Sequence, residues 1–157
     1  MKLDQLSEEY RAALRTLLRF AIVLAAIGLL AGIAFQESAR KLPFAAAGAG
    51  LHLEAIHTLA LVHGHVFLMG VLLPLALAAA LPLALAAGGR PLARRDLAWL
   101  TRIYLPFAAA SLALQLVKGS HALRYGLYGL LHAGMGLGLG LFLLALWRSL
   151  ESRAPRR

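Results

Sequence analysis

Four apolar stretches, each bounded by charged residues, constrain this chain more than any other feature of its sequence. They run from about Leu17 to Phe35, from Ala55 to beyond Leu83, from Leu97 to Val117 and from Tyr125 to Trp147. Roughly 20 apolar residues carry an α-helix across a bilayer, and each stretch approaches or exceeds that length once its flanking side chains snorkel. None alternates as a barrel strand does. A segment in lipid must satisfy its own backbone hydrogen bonds, so helices are the outcome. Composition agrees, since 61% of the 157 residues are hydrophobic and mean hydropathy is +0.74. A water-soluble core cannot absorb that much apolar surface. The expectation is an all-α fold, an integral membrane four-helix up-down bundle forming one domain over 1–157. Its helices are placed at approximately 17–36, 55–83, 97–117 and 125–147.

Charge orients the bundle. Of the 16 Lys and Arg residues, twelve lie before the first span, around the connection between the second and third, or after the fourth. The other two connections hold only Arg40, Lys41, Lys118 and Arg124. The positive-inside rule then puts both termini and the middle connection in the cytoplasm. That connection, at Gly88-Gly89-Arg90-Pro91, reads as a helix-breaking turn. The second stretch is long enough to tilt, to kink at Pro74 or to stop near Pro82. Within residues 1–19, Leu3, Leu6, Tyr10 and Leu14 recur at helical spacing among charges. They suit either a helix lying on the membrane or a charged extension of the first span.

The net charge of +9 does not indicate nucleic acid, because the positive residues cap apolar segments instead of forming a basic face. The expected partner is the lipid bilayer, with its anionic headgroups. No cysteine is present, which excludes disulfides, thiolate metal sites, iron–sulfur clusters and thioether-linked haem. Nor is there a nucleotide loop or a serine-histidine-acid constellation, so no independent catalytic activity is expected.

In this topology His52, His57, His63, His65, His121 and His132 all fall in the outer half, together with Gln36, Glu37, Glu54, Gln115 and Lys118. Polar side chains in hydrocarbon are costly, so their gathering at one depth points to a site. The second and fourth helices run in the same direction and hold His63 (or His65) and His132 at similar depth. In a simple up-down bundle these helices are diagonal neighbours, a geometry that lets two imidazoles reach one cofactor. Gly70 follows His63 on its helical face, and Gly136 and Gly140 follow His132, which offers close approach for a porphyrin ring. His63 and His65 point about 200° apart, so they cannot serve one cofactor together, and His63 is preferred. The bland alternative is that the glycines pack helices and the histidines brace them. Glu37 and Lys118 stand at the outer ends of the first and third helices and can pair, with Gln115 joining them as a polar network.

Several short motifs together resemble a known family. They are Leu30-Ala31-Gly32 leading to Gln36-Glu37, Leu61-Val62-His63-Gly64-His65 with Met69-Gly70, Val117-Lys118-Gly119, and Gly129-Leu130-Leu131-His132-Ala133-Gly134. The resemblance is to small bacterial membrane proteins known as the domain of unknown function 2871 family, and it spans roughly residues 17–147. It implies a four-helix membrane protein of the bacterial inner membrane and carries over Glu37, His63, His65, Lys118 and His132 without catalytic roles. Gly64 departs from the threonine that the family pattern has between its two histidines. More weakly, His63 to Met69 with Pro74 beyond is similar to the haem-ligating second helix of the haem–copper oxidase catalytic subunit. The remainder of that subunit is absent, so oxygen reduction by this chain alone is not expected.

Three readings follow. One is a b-type haem protein using His63 (or His65) and His132 in electron transfer, gas sensing or haem handling, alongside a redox or membrane-complex partner. Another is a copper or other transition-metal carrier using His57, His63 and His65, with Met69 as a further donor. The third is a non-catalytic accessory subunit. A homo-oligomer is compatible with all three.

Overall fold

The computed structural model describes residues 7–41, 62–118, 122 and 124–151, with side chains described outside 35–41. Four helices in this range are long and apolar enough to cross a membrane. We label them α1 (Glu8–Lys41), α2 (Val62–Ala86), α3 (Arg94–Lys118) and α4 (Gly126–Glu151). They pack as an all-α bundle. The start of the second helix expected at 55–61 lies outside the described residues, as do His52, Glu54, His57, His121 and the side chains of Gln36 and Glu37.

α1 begins well before the apolar stretch. From Glu8 onward the polar amino-terminal residues extend the first span as one continuous helix, while Leu3 and Leu6 lie outside the described residues. Tyr10 is buried, and its hydroxyl accepts a 2.7 Å hydrogen bond from the Leu92 amide, tying α1 to the chain just before α3. α2 runs through Pro82 and ends at Ala86; Gly88, at φ +87°, then makes the turn. A positive φ is costly for any residue with a Cβ, so glycine there stops the helix where proline did not.

Two short π-helical turns interrupt the inner helices, at Val66–Leu72 in α2 and Trp99–Tyr104 in α3. Each is followed by Leu-Pro. The Leu73 amide reaches back five residues to the Leu68 carbonyl, and the Leu105 amide likewise to Leu100. Pro74 and Pro106 have no N–H to donate. The Met69 carbonyl therefore loses both of its usual helical partners, and the Tyr104 hydroxyl donates to it across the α2–α3 interface at 3.2 Å. In lipid an orphaned carbonyl is expensive, so this bond fixes the two inner helices at the π turn.

α2 and α3 form the middle of the bundle. α1 packs chiefly on α2, and α4 chiefly on α3, each against the π turn of its inner neighbour. Among the described residues α1 and α4 meet at most marginally, whereas α2 and α4 touch. The square arrangement with α2 and α4 on a diagonal is thus corrected to one with α1 and α4 on the flanks. The physical reason lies in the glycines. Gly138 of α4 sits on the backbone of the α3 π turn, where an added Cβ would meet the Tyr104 amide nitrogen at 2.8 Å and the Trp99 carbonyl oxygen at 3.0 Å. Gly70 of the α2 π turn is filled by the Leu24 side chain of α1.

The larger apolar core lies in the arginine-rich half, around Leu17, Leu81, Leu100, Tyr104 and Phe142. A smaller cluster of Leu24, Val62, Val66 and Leu112 occupies the opposite half. Large apolar side chains on the flanks, including Ile22, Leu30, Leu130 and Trp147, are exposed, as lipid-facing residues are.

Candidate functional site

Polar side chains at the end away from the arginine-rich turns form two groups. In the first, His63 leaves α2 toward α1. Its Nδ1 lies 3.1 Å from the Gly28 carbonyl oxygen. A carbonyl can only accept, so Nδ1 carries the proton and Nε2 keeps its lone pair. The ring fits where α1 has no side chain: a Cβ on Gly32 would come within 2.9 Å of His63 Cε1. Phe67, one turn on, stacks at 4.9 Å between ring centroids and occupies the corresponding space at Gly28.

The second group joins α3 to α4. His132 Nδ1 lies 3.1 Å from the Tyr128 carbonyl and 3.3 Å from Ser111 Oγ, so its proton is shared between a backbone and a hydroxyl acceptor. The Tyr128 ring packs at 4.1 Å between centroids. Its hydroxyl accepts a 2.7 Å bond from Gln115 Nε2. Gln115 is 1% exposed, and its Oε1 has no partner among the described residues. Here, too, the arrangement leaves the imidazole Nε2 as the uncommitted nitrogen.

Tyr104 touches the helices of both histidines. Its amide backs onto Gly138 of α4, while its hydroxyl bonds Met69 of α2. His63 lies six positions from Met69, and His132 six from Gly138, in the same direction. Each thus stands roughly two helical turns along its own helix from its contact with Tyr104, His132 from the backbone contact and His63 from the hydroxyl. Their nearest neighbours nevertheless differ, α1 for His63 and α3 for His132.

Other residues singled out by sequence are distributed more widely. His65 is half-buried on another face of α2. The space beside Gly70 is taken by Leu24, and Gly136 is exposed on the outer surface of α4 with nothing within 4 Å of an added Cβ. Met135 belongs to the core, and Met69 packs against it. Lys118 is exposed, with its Nζ 5.9 Å from the Tyr125 ring centroid, at the outer limit of a cation–π contact. Among the described residues no three His, Cys, Asp or Glu side chains converge as a metal site. Sequence reasoning passed over Ser111, Tyr128 and Gly28, and took Gly32 only as part of a motif. A histidine with a tyrosine one turn before it is the signal that could have found Tyr128; Gly28 and Gly32 share the four-residue spacing that was noticed only on α4.

No family model, curated protein or solved structure matches this chain.

Proposed function

We propose that this four-span membrane protein binds haem b at the end away from its arginine-rich turns, with His63 and His132 as axial ligands. The observation that carries this reading is that each of the two imidazoles has its Nδ1 hydrogen-bonded to a backbone carbonyl. That bond selects the tautomer a ligating histidine needs and orients the ring, the usual outer-shell support of a metal-binding imidazole. A bound haem supplies an iron that takes up and returns one electron. The residues supply the rest: Gly28 and Ser111 with Tyr128 hold the rings, and the flanking apolar helices exclude water. The space beside Gly70 is already filled by Leu24, so Gly70 offers no close approach to a ring. With His63 and His132 both holding it, such a haem would serve electron transfer rather than gas binding.

An ultraviolet–visible spectrum, oxidised then reduced, of protein purified in detergent from haem-supplied cells tests the proposal. Sharp bands on reduction are expected, lost on His132→Ala and on His63→Ala and retained on His65→Ala. A colourless parent protein overturns it.

A second reading is favoured by the same bonds, because both cross between helices or abut one that does. In it the histidines brace the bundle, as in an accessory subunit of a membrane complex. Haem-free protein destabilised by His63→Leu and His132→Leu is its expected signature. A transition-metal carrier finds less support, as His63 and His65 diverge around α2 and His57 lies outside the described residues.

A further inference from the structure

At the arginine-rich end, α1 and the start of α3 enclose an open cleft of about 690 Å³. Arg94, Arg95 and Arg102 line it from α3, and Ala12 and Thr16 from α1. All three guanidinium groups are exposed, and none forms an ion pair among the described residues. Glu8 and Glu9 reach the rim. Glu8 is already neutralised by Arg11 at 2.8 Å and Arg15 at 2.7 Å, so Glu9 alone stands against three free positive charges. The threonines add no donors: Thr16 gives its hydroxyl proton to the Ala12 carbonyl and Thr101 to that of Leu97. Whatever anion enters is therefore held by guanidinium groups, whose planar forks match phosphate oxygens.

We infer that this cleft is a binding site for the phosphate of an anionic phospholipid. Ala12 and Thr16 share a helical face with Arg19, Val23 and Leu30, the last two of which are exposed apolar residues. A phosphate seated among the arginines thus has Arg19 next below it and, beyond that side chain, the exposed apolar Val23 and Leu30, along which an acyl chain lies. A free phosphate would use the arginines and leave those apolar residues bare. Three guanidinium groups lining one cleft also give the site a preference beyond the general attraction of a basic surface to an anionic leaflet.

The test titrates the full chain, in non-ionic detergent micelles, with phosphatidylglycerol, phosphatidylcholine or inorganic phosphate. Bound lipid is counted by native mass spectrometry, and thermal stability is followed by circular dichroism. One tight phosphatidylglycerol is expected, with a rise in Tm that phosphatidylcholine and inorganic phosphate do not produce. At about 1 kcal/mol for each arginine, Arg102→Gln should weaken that binding about fivefold, and joint replacement of Arg94, Arg95 and Arg102 by Gln about a hundredfold. Arg90→Gln, at the same end but outside the cleft, should leave it unchanged. Equal protection by inorganic phosphate overturns the lipid assignment. Equal binding of phosphatidylcholine, or unaltered phosphatidylglycerol binding in a helical triple variant, overturns the site itself.

Discussion

Tyr104 shows how much of this bundle hangs on a single hydroxyl. Two local facts, a π turn that sends the Leu73 amide back to Leu68 and a proline at position 74, strip the Met69 carbonyl of its helical donors. Water cannot take their place in hydrocarbon, so the phenol does. Tyr104→Phe keeps the fully buried ring and removes only the donor. It should lower stability by about 0.5–1.5 kcal/mol, read from denaturant unfolding in micelles followed by circular dichroism. A neutral substitution would mean that the freed carbonyl finds another partner. Gln115 presents the opposite situation: its amide nitrogen is committed to Tyr128 while its buried oxygen has no described partner.

At the scale of helices, position along α4 decides what a glycine does. Gly138 touches the backbone of the α3 π turn, and backbone cannot swing aside as a side chain can. Gly138→Ala should push α3 and α4 apart and cost roughly 1–3 kcal/mol. Gly136→Ala, two positions away on the open side, should stay within about 0.5 kcal/mol of the parent in the same unfolding assay. Equal effects of the two would refute the assigned rotation of α4. From sequence the two glycines look alike. Gly136 drew attention because it follows His132 by one turn, and periodicity does not say which side of a helix meets protein and which meets lipid when both sides are apolar. The four spans were legible because bilayer thickness sets their length. The π turns were not, since Pro74 signals an interruption but not its hydrogen-bond pattern, and nothing set Pro106 apart. His63 and His132 were legible as polar groups toward the end away from the arginines; their attachment to different neighbouring helices depends on side-to-side packing, which charge and hydropathy leave undetermined.

For the whole molecule, the distribution of charge and the layout of helices make one joint demand. α1 and α3 must begin at the end where α2 and α4 finish, and the structure ties that end together: the Arg90 amide donates to the Ser149 carbonyl, and the Leu92 amide to Tyr10. Twelve of 16 Lys and Arg residues cluster there or in the segments that lead to it. The cost of moving such a cluster across the bilayer predicts an orientation with the arginine-rich end cytoplasmic. Because the chain has no cysteine, introduced thiols report on this directly. Pro91 and Tyr125 are exposed at opposite ends, and replacing either leaves the Lys and Arg count intact. In intact cells a membrane-impermeant maleimide should label Tyr125→Cys and spare Pro91→Cys, which should react only after permeabilisation. Labelling of both from outside would show mixed insertion. The reverse pattern would put the arginine cleft outside and the histidines inside, moving the proposed haem to the cytoplasmic half and the lipid site to the opposite leaflet.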